Sequence, residues 1–519
     1  MRLFTVVSIT TGLIVLTQAL PAQVAFQDLT GSNPNPLLVS SLSRQLQQNL
    51  TIEGLLRHSH KLQKIADKNH HTRVFGSGGH NDTLSYIASS VLEQGYHTWL
   101  EPMVLNFTQT LHQSASVIFP PTPEPILNVR LMTFTTSTPV SGATGSLVRI
   151  GGLACDEIDQ DLGGKIALVQ RGECTFGAKA YWAGQAGASA LLIYNTEPGS
   201  LSGTLGQDYE SGAPTGGISR EDGERLIRLL DEPWHPDVVL TVRLVEKREA
   251  RLTYNVIAET KGGDKSNIIV IGAHSDSVAA GPGINDNGSG TAALLELAYL
   301  FRNEKPVNAV RFCWWTAEEY GLLGAKHHVD NLTKEEQKDI ALYLNFDMIG
   351  SPNYYNGIYD GDGSDSPMAG PPGSAAIEKL FQDFFESKDE AHDPSEFDGR
   401  SDYGPFVASI YFFAAGIPSG GLFTGAEVPK TEEQAKKYGG EAGVAYDSCY
   451  HESCDDINNL NHHAFLLHAR GLAHALAVYS QSTESIDKER QAPLAQNSVD
   501  SFDLEKIWPS NTKKGTLAM

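Results

Sequence analysis

Three short apolar runs, each followed by a histidine or a carboxylate, constrain this chain more than any other feature. They are Ile268-Ile269-Val270-Ile271, Val310-Arg311-Phe312-Cys313-Trp314-Trp315 and Ala341-Leu342-Tyr343-Leu344-Asn345-Phe346. Their length, their β-branched and aromatic content and their small or polar borders mark them as strands buried in a mostly parallel sheet. Gly288 to Thr291 followed by Ala292 to Phe301 reads as a helix between the first two, giving an α/β crossover. Open sheets of this class collect ligands at the carboxyl ends of their strands. His274 and Asp276 follow the first run, Glu318 and Glu319 the second, and Asp347 the third, with Asp286 in a glycine-rich loop before the helix. That much negative charge on one dry rim requires cations to neutralise it.

The 519 residues allow two or three domains. Arg2, an apolar stretch from Leu3 to Leu20 and Pro21-Ala22-Gln23 describe a secretory signal peptide over residues 1–22. No internal segment approaches the roughly 20 apolar residues of a membrane span. A formal net charge of −23 repels nucleic acid and anionic membrane, which excludes both as partners. Five cysteines in an oxidising compartment sum to two bridges and one spare thiol. Cys449 and Cys454 can staple a loop, Cys155 and Cys174 can pair elsewhere, and Cys313 sits inside an apolar strand as an inert thiol. Glycan acceptors occur at Asn49, Asn81, Asn106 and Asn331; a fifth, Asn287, adjoins Asp286, where a glycan would block the rim.

Along the chain, apolar residues from Leu42 to Asn69 recur at helical spacing, and Arg73 to Thr83 reads as a turn into a helix from Thr83 to Gln94. Trp99 to Phe107 reads as a strand. Composition shifts near Pro120, and residues 121–245 form a small α+β module, with strands at Ser146–Ile150, Lys165–Gln170, Ala190–Tyr194 and Val238–Val245. Gly184–Ser189 and Ser219–Leu230 are its expected helices. Its run Gly163 to Gly172, then Cys174-Thr175-Phe176 and Ala186-Gly187-Ala188, resembles the protease-associated domain, which implies a module that edges a site or contacts partners. The main domain is expected over 42–120 and 246–480, with helices Ser374–Glu386 and Asn461–Ser480 and a strand near Ile417. Residues 481–519 are expected to be a disordered tail.

Imidazole nitrogen and carboxylate oxygen are zinc donors. Two metals about 3.5–4 Å apart share a bridging ligand, which a carboxylate can supply. The inventory divides into His274 and Asp347 for one metal and Glu319 and His451 for the other, with Asp286 bridging. Glu318 is left free beside the attacking water, as a general base must be. Asp276 can accept the second ring N–H of His274.

Gly272-Ala273-His274-Ser275-Asp276-Ser277, Gly283 to Gly290, Thr316-Ala317-Glu318-Glu319-Tyr320-Gly321, Asn345-Phe346-Asp347-Met348-Ile349-Gly350 and Cys449-Tyr450-His451 together resemble the co-catalytic di-zinc aminopeptidases related to aminopeptidase Y and to secreted leucine aminopeptidases. The resemblance spans Leu42 to Ser480. It implies an α/β zinc-exopeptidase fold, two Zn2+ and a bridging-water mechanism with Glu318 as base and Tyr450 donating to the oxyanion. It further implies peptide substrates whose free α-amine meets Glu318, Asp347 and the backbone near Arg400, with Met348 and Phe423 lining an apolar first pocket. A secreted monomer is expected, with the vacuole as the alternative destination. The rivals are a carboxypeptidase or dipeptidase on the same scaffold, a single-zinc glutaminyl cyclase and a non-catalytic receptor-like ectodomain.

Overall fold

The computed structural model describes residues 36–122, 125–197, 199–206, 212–233, 237–407 and 416–491. The signal segment and residues 492–519 of the tail lie outside them. Helices α1 (Pro36–Asn49) and α2 (Ile52–Lys68) open the chain, followed by α3 (Gly78–Glu93). The start of α3 is at Gly78 rather than Thr83 because Ser77 caps it, its hydroxyl accepting the His80 N–H. Glycines that read as a turn therefore form the first helical turn.

Strand β1 (His97–Phe119) leads into the inserted module: β2 (Ile126–Leu127), β3 (Val129–Leu131), β4 (Ala143–Arg149), β5 (Ile166–Gln170), α4 (Phe176–Gln185), β6 (Ala190–Tyr194), β7 (Thr215–Ile218) and α5 (Arg220–Asp231). The helix expected at Gly184–Ser189 is instead α4, which lies upstream. Thr175 caps its start, and Gly187 (φ 88°) belongs to the turn into β6. Strand β8 (Val239–Glu259) returns to the main domain, antiparallel to β1 from His97↔Glu259 to Phe119↔Val239. Strand β8 runs unbroken through the boundary drawn at 245/246, whereas β1 ends at Phe119, next to the boundary drawn at 120/121.

The main domain continues with β9 (Asp264–His274), α6 (Gly288–Phe301), β10 (Asn308–Trp315), α7 (Leu323–Asn331), α8 (Lys334–Asp339), β11 (Ile340–Phe346), β12 (Gly357–Tyr359) and α9 (Ser374–Glu386). It closes with β13 (Asp393–Ser395), α10 (Tyr403–Val407), β14 (Ser419–Phe423), α11 (Glu432–Tyr438), α12 (His462–Tyr479) and α13 (Glu484–Gln491). The tail expected from 481 thus begins with an ordered helix: Ile486 is fully buried and Glu489 accepts the Ala376 N–H.

Among the described residues the strands join into one mixed sheet, and β10, β9, β11 and β14 are parallel neighbours. From β9 the chain crosses through α6 to β10 on one side, then through α7 and α8 to β11 on the other. The strand order reverses at β9, and a crevice opens at the carboxyl end of such a switch point. One sheet face packs on α1, α2, α6, α9 and α12 through residues such as Leu55, Leu294, Phe346 and Leu472. The other packs through Val270, Trp315, Tyr343 and Phe406. Each large apolar side chain buried in this way contributes roughly 1.5–3 kcal/mol. The inserted module has cores of its own. Among the described residues no helix is long and apolar enough to cross a membrane.

Candidate metal centre

His274 ends β9 and is fully buried. Its Nε2 lies 3.2 Å from Asp286 Oδ1, 3.3 Å from Asp347 Oδ1 and 3.7 Å from Glu318 Oε2. His451 Nε2 lies 3.2 Å from Asp286 Oδ2 and 2.9 Å from Glu319 Oε2. Asp286 therefore divides its two oxygens between two imidazoles. Five segments of the chain deliver these six side chains to the β9 switch point.

Local structure fixes each ligand. Asn287 caps α6, accepting the Gly290 N–H at 2.9 Å and donating to Phe346 O at 3.0 Å, which ties the Asp286 loop to the end of β11. Gly290 permits that approach, since a Cβ there would stand 2.1 Å from Phe346 O. Asp455 accepts the backbone N–H groups of Asn285 and Asp286 at 2.8 and 2.9 Å. The Cys449–Cys454 disulfide closes the loop that carries His451. Ala317 (φ 53°), Leu322 (φ 59°), Met348 (φ 48°) and His451 (φ 58°) are all left-handed, a conformation costing non-glycine residues roughly 1–3 kcal/mol each. These four strained positions flank the crevice and fix the backbone from which its side chains project.

The donor set fits a cation. Glu319 Oε1, Asp347 Oδ1 and both His274 nitrogens are buried with no hydrogen-bond partner. Buried acceptors facing one another without donors are resolved by a cation, and the mixture of imidazole and carboxylate suits zinc. The titration behaviour of the chain alone agrees. Burial opposes charge on His274, but Asp347 and Glu318 outweigh it and hold the imidazole well above its ordinary pKa. Burial likewise opposes charge on His451, and Glu319 and Asp286 raise it to about 11. Burial, reinforced by Asp286, pushes Glu319 up to about 7. Burial and the neighbouring Asp347 and Asp402 push Glu318 well above the carboxylate range.

The other expected residues fall as follows. Asp276 Oδ1 stands 3.7 Å from His274 Nδ1, too far for the expected hydrogen bond, and instead accepts the Glu318 N–H at 3.2 Å. Tyr450 stacks on the His451 ring with centroids 3.8 Å apart, and Arg400 Nη2 donates to its hydroxyl at 3.2 Å. Arg400 also pairs with Glu427 at 3.0 Å. Met348 is buried next to Asp347, and Phe423 ends β14 against Tyr355. The Cys155–Cys174 bridge lies in the inserted module, and Cys313 is buried and free. Asn49, Asn81, Asn106 and Asn331 are exposed. Asn287 is buried and engaged as a helix cap, so it is closed to a glycan.

Three groups went unread in the sequence. Trp315 Nε1 donates to Tyr343 Oη, which donates to Asn345 Oδ1; Asn345 Nδ2 donates to Ser401 Oγ, which donates to Asp347 Oδ2 at 2.7 Å. Every step points the same way, leaving Asp347 an acceptor with its other oxygen free. Asp402 is buried with neither carboxylate oxygen partnered, and burial beside Asp347 raises its pKa strongly. Arg73 is fully buried and donates to Ser275, Pro282 and Gly283 carbonyls beneath the Asp286 loop. The only sequence signal for the first two was their place in Gly399-Arg400-Ser401-Asp402, which does not reveal its partners.

The model of peptidase family M28 matches residues 255–476, and that of the PA domain matches residues 143–226. Leucine aminopeptidase 2 of Arthroderma otae is 47% identical over 444 residues, covering 84% of this chain and 86% of that protein. The chain belongs to peptidase family M28. Probable leucine aminopeptidase 2 of Aspergillus oryzae is also similar to this M28 peptidase, 44% identical over 85% of the chain and 87% of its own length. Among solved structures, the aminopeptidase from Aneurinibacillus sp. strain AM-1 superposes with a TM-score of 0.68 at 27% identity, over 84% of this chain and 95% of that one. BSAP, a zinc aminopeptidase from Bacillus subtilis, shares the fold with a TM-score of 0.55 at 24% identity, over 86% and 95%. The inserted module of this M28 peptidase is its PA domain.

Proposed function

We propose that this M28 peptidase is a two-zinc aminopeptidase that removes apolar first residues, leucine foremost, from peptides with a free amino terminus. The observation that carries this reading is the division of Asp286 between His274 and His451, each with a carboxylate of its own and with Glu318 left over. His274, Asp347 and Asp286 would hold one zinc, and His451, Glu319 and Asp286 the other. Bound zinc would polarise the scissile carbonyl and acidify a water between the two positions.

The chain's own groups do the rest. Glu318 takes the proton of the attacking water and returns it to the leaving nitrogen. The Tyr450 hydroxyl accepts from Arg400, which leaves its own proton to donate to the oxyanion. Glu318, Asp347 and the backbone near Arg400 receive the α-amine, so only the terminal bond comes into register. Met348 and Phe423 line the first pocket. Arg400 is already paired with Glu427, which disfavours a carboxypeptidase that needs a free cation for a terminal carboxylate. The complete donor set argues against a receptor-like ectodomain and against a single-zinc cyclase. The signal-like start, the two disulfides and the exposed acceptors at Asn49, Asn81, Asn106 and Asn331 support a secreted glycoprotein, with the vacuole as the second choice.

The test compares leucine amide with N-acetyl-leucine amide, with and without a chelator. Chelator-sensitive cleavage of the free amine alone is expected. Equal cleavage of the blocked substrate removes the exopeptidase reading, and chelator-insensitive cleavage removes the metal.

A further inference from the structure

The loop that carries Glu318 and Glu319 is bent through Ala317, Gly321 and Leu322, all left-handed. Neither the short 3-10 turn Glu318–Tyr320 nor α7 behind it has a side-chain cap. Glu319 is held by His451, and Glu318 by its N–H to Asp276, by its carbonyl, which accepts the Gly321 and Leu322 N–H groups, and by its carboxylate 3.7 Å from His274 Nε2. These bonds fix the loop's backbone but leave the Tyr320 ring to be packed from outside it.

The β1–β8 ribbon reaches it. Tyr320, next to Glu319, packs edge-on against Phe75 (centroids 4.8 Å) and tilted against Phe107 (5.5 Å), while Phe75 meets Phe107 edge-on at 5.7 Å. Phe75, Phe107, Val74 and Ala317 are buried together as one cluster. Phe107 comes from β1. From β8, Arg251 lays its guanidinium 3.3 Å from the centroid of the Phe107 ring, donates to Phe75 O at 3.1 Å and pairs with Glu249. Gly76 turns at φ 66° beneath it, where a Cβ would come 2.6 Å from Arg251 Cβ. The same two strands continue outward to carry the PA domain.

We propose that Phe107 and Arg251, one from each strand of the ribbon, are positioning residues that hold the Glu318 loop in its working geometry, so that the PA domain's supporting strands form part of the mounting of the base. This rests on the reading of Glu318 as that base. A contact whose removal lets the loop relax moves the Glu318 carboxylate away from the attacking water, while His274, Asp347 and His451 stay held by their own partners. Misplacement of about 1 Å costs up to roughly 100-fold in rate.

The test uses the full-length, zinc-loaded enzyme. Phe107→Ala is expected to lower kcat by about 10- to 100-fold, with a smaller rise in KM because Glu318 also meets the α-amine, and with zinc content unchanged; Phe107→Leu, which keeps the apolar volume, recovers most of it. Arg251→Gln lowers kcat in the same way but less, and decides the matter by the same readings if Phe107→Ala does not fold. Unchanged kcat with a lower Tm, a rise in KM alone, or loss of zinc each overturns the proposal. Glu318→Gln separates the two readings. If that variant is inactive and the ribbon variants are normal, only the positioning role falls; if it is active, the base assignment falls whatever the ribbon variants do.

Discussion

Asp360, Asp362 and Glu378 stand as close together as the carboxylates beside His274, with donor atoms within 4.8 Å of one another in both clusters. In the first cluster the backbone answers the charge. Asp360 accepts the N–H groups of Gly363, Ser364 and Asp365, and Glu378 those of Gly361 and Asp362. Burial would raise Asp360, but these bonds and the Ser366 hydroxyl bring its pKa below the ordinary value. Around His274 the carboxylates face imidazoles and one another, and oxygens of Glu319 and Asp347 are left over. Proximity of acids is common to both; what separates a metal centre from a self-satisfied loop is the supply of donors. The sequence Asp360-Gly361-Asp362-Gly363 looks more like a cation loop than the scattered residues that form the real candidate.

If donor supply is what separates the two clusters, substitutions in each should have different consequences. Glu318→Gln should keep its zinc and lose about 10²- to 10⁴-fold in kcat; metal analysis beside leucine amide turnover reads both, and near-normal turnover would show that the crevice works without this base. Ser401→Ala removes the last donor of the relay to Asp347 and should weaken zinc binding about 10- to 100-fold, measured by competition with a chromophoric chelator. An unchanged affinity would make the relay mere packing.

A third consequence concerns pH. In the metal-free fold Glu319 and Asp455, both raised first by burial, have pKa values of about 7 and about 8, above their unfolded values. The folded chain then binds protons that the unfolded chain has released, so its stability falls as pH rises from about 4.5 to 8. Zinc removes the proton from Glu319 and with it that part of the loss. The difference in Tm between loaded and chelated protein should widen over this interval; a constant difference would contradict the assignment of Glu319. Asp360→Asn should have the smallest effect, about 1–3 kcal/mol of stability from weakened acceptance of backbone N–H groups, with zinc content unchanged. Loss of zinc in that variant would erase the distinction between the clusters.

The sheet was legible because its strands are continuous apolar runs, and the rim because strand ends place His274, Glu318, Glu319 and Asp347 by connectivity alone. His451 was legible only through its loop and its family likeness. Ser401, Asp402 and Arg73 were not, since each acts through contacts across long sequence separations that leave no periodic trace. The β1–β8 ribbon hid for another reason: the strands read at Trp99–Phe107 and Val238–Val245 are fragments of it, and the boundary drawn at 245/246 falls inside β8. Helix α4 was displaced because small residues around Gly187 resembled its body when they form its exit, and α13 was missed because the single apolar anchor Ile486 carries no period.

Two cations sharing Asp286 are the central expectation for this crevice. Diffraction from crystals of the zinc-loaded protein, collected on either side of the zinc absorption edge, tests this directly. Two anomalous peaks about 3.5–4 Å apart are predicted, one beside His274 and Asp347 and one beside His451 and Glu319, both touching Asp286. A single peak, or peaks away from Asp286, would contradict it.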